Sequence, residues 1–257
     1  MNEIIGLGVT LLLGLFILVG SIIVFFTKNN DKFIKFSIGL ALGVLIMVIL
    51  TDLIPEAYES FSEVTKPIYA ILIILGITLV GIFILKLFDL FIPNHDHNHK
   101  EKDHHIDEHN LYHIGIISSI ALILHNIIEG MAIYNTFIND PKTGIFIGLG
   151  VGLHNIPLGI IIASAFYKKN KSIKKTIFIS FIISISTFVG GLIIYLLSSN
   201  INEIVSGVFI CLTLGMIIYI SFFELLKEVL CKEKRKTALL GVLTGIILIV
   251  VSMLVID

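Results

Sequence analysis

The chain is short of charge, of basic excess and of cysteine, and each shortage excludes something. Charged residues make up 14% of the 257 positions against 56% hydrophobic ones, and mean hydropathy is +1.01. A water-soluble domain carries about 25% charged residues, so this composition cannot cover a water-facing surface. The 18 Lys+Arg and 19 Asp+Glu leave a net charge of −1. A nucleic-acid binder would show a basic excess or patch, and no nucleic-acid partner is expected. Two cysteines, Cys211 and Cys231, form neither a disulfide framework nor a Cys-x-x-Cys metal site. Also missing are the short runs of alternating polarity that mark the strands of a membrane barrel.

What the chain does have is long apolar runs. A membrane helix needs about 20 predominantly apolar residues. Runs of that kind cover 4–26, 33–55, 67–92, 114–137, 144–167, 176–198, 204–226 and 237–256. Ile4–Phe26, Thr143–Tyr167 and Thr176–Asn202 contain no Asp, Glu, Lys or Arg. The first run is too long for a cleaved signal peptide and lacks a basic leader. The expected fold class is all-α: a polytopic membrane protein of eight transmembrane helices, filling 1–257 as one transmembrane domain with the lipid bilayer as its surroundings.

Direction follows from the Lys/Arg bias of the connections. The 1–2, 3–4, 5–6 and 7–8 connections and adjoining helix ends hold every basic residue except Lys66 and Lys142. These four connections are therefore expected in the cytoplasm and both termini outside. One connection is long: residues 93–113, with His95, His97, His99, His104, His105, His109 and His113 among acids. Clustered imidazoles and carboxylates suit divalent cations. The alternatives are a weak cytoplasmic metal buffer and a plain solvated linker.

Ionisable residues inside membrane helices are costly, which makes each a functional candidate. The fourth run contains His125-Asn126-Ile127-Ile128-Glu129-Gly130, and the fifth His154-Asn155-Ile156-Pro157-Leu158-Gly159. These are two copies of H-N-I-x-x-G on adjacent helices of opposite direction, an inverted-repeat character found around transporter substrate sites near the midplane. Spacing i, i+4 puts His125 and Glu129 on one helix face. At 1.5 Å rise per residue, Glu129 lies roughly 6 Å further outward. His125, Glu129 and His154 offer two imidazoles and a carboxylate, a first shell for a transition-metal ion, and Asn126 and Asn155 can add amide oxygens. Pro157 frees the Leu153 carbonyl beside His154, as is tolerated where backbone lines a cavity. The competing reading is that these histidines and asparagines tie helices together by hydrogen bonds.

Two clusters flank the midplane. The second helix is expected to end outward at Asp52-Leu53-Ile54-Pro55-Glu56, followed by Glu59 and Glu63. An acidic mouth there would concentrate cations. The seventh ends inward with Tyr219 to Glu228, where Glu224 could receive a departing ion. Interfacial, solvated carboxylates are the alternative for both clusters.

At these residues the chain resembles the ZIP (Zrt-, Irt-like protein) family of divalent-metal transporters. The resemblance covers essentially the whole chain. It rests on the eight spans, the His-rich 3–4 loop, the paired H-N-I motifs, Leu53-Ile54-Pro55-Glu56-Ala57 on helix 2 and the Tyr219–Glu228 segment of helix 7. It implies movement of Zn²⁺, Fe²⁺ or related cations into the cytoplasm, with the metal as substrate, no cofactor and no enzymatic activity. It also assigns the helix-4 ligand positions to His125, Asn126 and Glu129 and those of helix 5 to His154 and Asn155. The chain departs from the family pattern at Leu158, where an acid or histidine is usual, and at Asn155, often an acid. It departs again at Ser184-Ile185-Ser186-Thr187-Phe188, which lacks a helix-6 glutamate. One ion held mainly by His125, Glu129 and His154 is expected, with Zn²⁺ favoured over Mn²⁺. The alternative is a relative that binds metal without transporting it. An intramembrane zinc protease would need H-E-x-x-H, which is absent here. Glycines such as Gly148, Gly150 and Gly152 permit close helix packing, within one chain or in a homodimer.

Overall fold

The computed structural model describes residues 2–27, 30–91, 108–197 and 203–256. Every regular element among them is helical. Eight helices are long and apolar enough to cross a membrane: α1 Asn2–Phe26, α2 Asp31–Ser62, α3 Pro67–Leu90, α4 Leu111–Asn139, α5 Gly144–Tyr167, α6 Ile173–Leu197, α7 Ile204–Leu230 and α8 Arg235–Leu254. The chain is a multi-pass membrane protein. Its most buried spans are α2, α4 and α7, and its least buried are α3 and α8. The leucines, isoleucines and phenylalanines left bare on α3 and α8 are solvated by lipid rather than water.

Helix ends are set by local chemistry. Asn30 caps α2 by accepting from the Lys32 amide at 2.9 Å. Between α4 and α5 the turn is a single residue: one helix ends at Asn139 and the next starts at Pro141. Asp140 caps the second helix by accepting from the Lys142 amide. Proline at N1 gives up only an amide that the helix could not pair anyway. This tight hairpin has a consequence for the motifs. His125 and Asn155 stand equally far from Asp140 along their helices, so the two H-N pairs lie at one depth. The long helix runs unbroken through Pro157 to Asn170.

Helix 2 runs longer than the sequence reading placed it. It continues through Pro55 to Ser62, so Asp52 and Glu56 sit inside a helix rather than at its end. A π-turn over Ile49–Leu53 makes this possible. There the Ile54 amide bonds the Ile49 carbonyl five residues back, and Pro55 then occupies the first turn of the continuing helix. Helix α7 carries a second π-turn, Ile220–Leu225, where the Leu226 amide reaches Ser221. Such turns occur often at functional positions, and these two carry Asp52 and Glu224.

The helices fall into two sets of four: α1, α4, α5 and α6, and α2, α3, α7 and α8. Glycines make the closest approaches inside each set. A methyl group at Gly130 would strike the Thr187 carbonyl, and one at Gly190 the Ile127 carbonyl, so α4 and α6 touch backbone to backbone. On α2 and α8, Gly39 and Gly43 interlock with Gly241 and Gly245, two small-x-x-x-small pairs facing each other. Each described glycine with neighbours on another helix finds the nearest of them within its own set. Inside the second set, the buried Lys35 ammonium pairs with the Glu228 carboxylate and donates to the Glu228 carbonyl at 3.1 Å, joining α2 to the last turn of α7.

Candidate metal centres

Two groups of polar side chains lie on the inside of the bundle. The first is at the level of the H-N motifs. On α4, Nε2 of His125 is 2.7 Å from Oε1 of Glu129. His125 is 1% exposed and Asn126 fully buried. The Asn126 amide nitrogen donates to the Ile183 carbonyl of α6 at 3.3 Å, while its Oδ1 has no hydrogen-bond partner among the described residues. The helix-tying reading therefore holds for one end of Asn126. On α5, Asn155 is also fully buried, and neither its oxygen nor its nitrogen finds a partner among the described residues. His154 stands beside it on the same helix, and its side chain lies outside the described residues.

Glu56 joins this level from the other set of helices. Its carboxylate is near enough to Asp52, His125 and Glu129 to feel the charge of each. Asp52, one turn earlier, is exposed, with Oδ1 2.7 Å from the Thr51 hydroxyl. The sequence grouped Glu56 with the outer mouth, and its neighbours extend that grouping down to the α4 pair. Leu158 is 3% exposed. It lines a small apolar cavity with Leu45 of α2, Ser118 and Leu122 of α4, Ile161 of α5, and Ile220 and Leu225 of α7. The cavity lies between the two sets of helices, displaced from the H-N level toward the start of α4.

The second group is about 18 Å along α4 from His125, toward the end of the helix that follows the 93–113 connection. His113, Asp89 of α3 and Glu224 of α7 bring one donor atom each within 4.8 Å of one another. Nε2 of His113 is 2.9 Å from Oδ1 of Asp89, and Nδ1 is 3.6 Å from Oε2 of Glu224. Oδ1 and Nε2 are both buried and face each other as an ion pair, with no hydrogen bond of good geometry from either among the described residues. The Tyr219 hydroxyl donates to the other Asp89 oxygen at 2.7 Å. A cation could take the place of the proton in such a buried nitrogen–carboxylate pair. One nitrogen and two carboxylates form a donor set for a divalent transition metal.

Sequence reasoning reached Glu224 but missed Asp89, the only acid in 67–92. It also counted His113 with the 93–113 loop, whereas the fourth helix starts at Glu108 and His113 is buried within it. Among the loop histidines, His109 stands in the first turn of that helix with its side chain outside the described residues. His95, His97, His99, His104 and His105 lie outside them altogether.

Comparison with known proteins agrees with this architecture. A family profile described as "ZIP Zinc transporter" matches residues 92–253. The chain is 29% identical to the zinc transporter ZupT of Chlorobaculum parvum over 96% of both chains. It is 30% identical to ZupT of Streptococcus mutans over 95% of both. ZupT of Clostridium perfringens is 29% identical, over 98% of this chain and 96% of that one. A matched profile spanning more than half the residues and relatives aligned end to end make this chain a member of the ZIP zinc transporter family.

Proposed function

We propose that the protein carries Zn²⁺ across the cell membrane into the cytoplasm by alternating access, with the ion held between α4 and α5 by His125, Glu129 and His154 and assisted by Asn126 and Asn155. The carrying observation is the buried His125–Glu129 pair, level with an Asn155 amide that no described residue satisfies, in a chain of this family. Zinc is substrate here rather than cofactor, as the relatives' name of zinc transporter suggests.

The path begins at Asp52 and Glu56, passes the α4–α5 centre, and leaves through Asp89, His113 and Glu224 toward the histidines of the 93–113 loop. The Lys/Arg distribution supports the orientation, with the basic connections and this loop in the cytoplasm, and inward movement is part of the proposal. Between the two centres lies the apolar lining of Leu45, Leu122, Leu158, Ile161, Ile220 and Leu225. A hydrated dication does not cross such a contact while it stays closed.

Passage therefore needs a second arrangement, and the packing favours movement of one four-helix set against the other. Backbone-to-backbone glycine contacts hold each set together, whereas the boundary carries Leu and Ile side chains that can slide. His125, Asn126, Glu129 and Asn155 ride on one set; Glu56, Asp89 and Glu224 stand on the other. The ion would change partners as the sets shift, which is what alternating access requires of a fixed site.

Uptake of radioactive zinc by proteoliposomes tests the reading. His125→Ala and Glu129→Ala protein should take up little zinc, and uptake at the wild-type rate by either would refute the site.

A further inference from the structure

We infer that Tyr219 is a positioning residue for the inner centre: its hydroxyl occupies one oxygen of Asp89 so that a metal is offered only the other. The inference rests on reading Asp89, His113 and Glu224 as a metal station, as proposed above.

An ionised aspartate has two equivalent oxygens and, left to itself, can grip a cation with either one or both. Here the two are made different. Oδ2 accepts from the Tyr219 hydroxyl at 2.7 Å, an ordinary length for a hydrogen bond between oxygens. Oδ1 faces Nε2 of His113 at 2.9 Å, and among the described residues no other group bonds it, so it is the oxygen that a metal shared with His113 would take. Rotating Asp89 to present both oxygens would break the phenol bond and leave a buried hydroxyl unpaired, which is costly.

The tyrosine is itself held in place. The residue is 5% exposed, and its ring stacks on Phe223 with centroids 5.1 Å apart and planes 15° from parallel. Tyr219 also directly precedes the π-turn Ile220–Leu225 that carries Glu224. One stretch of α7 therefore sets the position of the Glu224 carboxylate and, through the phenol, the orientation of the Asp89 carboxylate on α3. The result is a small donor set of one imidazole nitrogen and single carboxylate oxygens. That set suits a compact, low-coordination ion such as Zn²⁺. Ions that prefer more oxygen ligands, such as Mn²⁺, gain from a carboxylate free to bind through both oxygens.

The test measures binding at the inner centre directly. Full-length purified protein carrying His125→Ala and Glu129→Ala, which lacks the α4–α5 centre, is titrated with Zn²⁺ alone and Mn²⁺ alone. Tyr219→Phe and Asp89→Asn are then compared in that background. The phenylalanine keeps the ring and its stacking and removes only the hydroxyl. Zinc binding should weaken about tenfold, the usual cost of losing a hydrogen bond behind a metal ligand, and the preference for Zn²⁺ over Mn²⁺ should narrow. A purely structural role would weaken both ions alike and leave their ratio unchanged. An unchanged ratio in Tyr219→Phe, with zinc binding lost in Asp89→Asn, overturns the inference and leaves the inner centre standing. Unchanged zinc binding in Asp89→Asn overturns the inner centre and this inference with it.

Discussion

Nε2 of His125 and Oε1 of Glu129 lie 2.7 Å apart, one turn along the same buried helix. The spacing is that of a hydrogen-bonded pair; tetrahedral bonds of about 2.0 Å to a shared zinc ion would hold the two atoms about 3.3 Å apart. A proton can occupy the same place, and imidazole must be deprotonated to bind metal. Metal and proton therefore compete for the site, and zinc uptake should weaken when the uptake side is acidified. Initial rates in proteoliposomes at a series of pH values check this, and a flat profile would count against histidine ligation.

Asn126 and Asn155 are both fully buried but should respond differently to substitution. Asn126 donates to the Ile183 carbonyl, so Asn126→Ala removes a link between α4 and α6 worth about 1 kcal/mol and should lower the melting temperature in detergent. Asn155 makes no described hydrogen bond. Asn155→Ala should leave the melting temperature near that of the wild type while raising the zinc concentration for half-maximal uptake. Uptake should weaken in both variants, since each loses an amide oxygen offered to the ion, while the melting temperature should fall only in Asn126→Ala; melting curves and uptake on the same preparations check both.

Leu158 faces the apolar cavity inside the α4–α5 centre. Leu158→Glu places an oxygen ligand there and should shift competition toward Mn²⁺, which favours carboxylates. The buried charge should also lower stability in the absence of metal. Competition of Mn²⁺ against radioactive zinc measures the shift, and no shift would mean that position 158 does not reach the ion.

Two glycines provide a paired test of the packing. A side chain at Gly241 would meet the Phe36 carbonyl and the Leu40 amide, whereas at Gly76 of α3 nothing lies within 4 Å. Gly241→Leu should cost several kcal/mol, at or above the usual range for overpacking, and reduce the yield of folded protein. Gly76→Leu should be close to neutral. Thermal melting of the two variants decides it.

The eight spans were legible because a membrane helix is a long local signal, and Ile4–Phe26 or Thr176–Asn202 can be read without knowing any contact. The H-N pairs were legible for the same reason, being short motifs at helix centres. The extension of α2 past Pro55 was not. Proline usually ends a helix, and here it follows the Ile49–Leu53 π-turn, which no residue type announces, in a helix that continues. Asp89 was missed because its meaning is non-local: a single acid near a helix end looks interfacial until α3, α4 and α7 pack and set it against His113 and Glu224. The nearness of Glu56 to the α4 pair was not legible either, because it arises only when helices far apart in the chain pack together. The two-set arrangement also escaped the sequence. Its glycines are visible one by one, but which carbonyl each meets depends on the assembled bundle.

The most direct test of the central claim is radioactive zinc uptake by proteoliposomes containing wild-type, His125→Ala or Glu129→Ala protein at equal reconstitution. Wild-type protein should accumulate zinc in a saturable way and both variants should fall to the level of empty vesicles. Saturable uptake at the wild-type rate by either variant would contradict a transport site built on this pair.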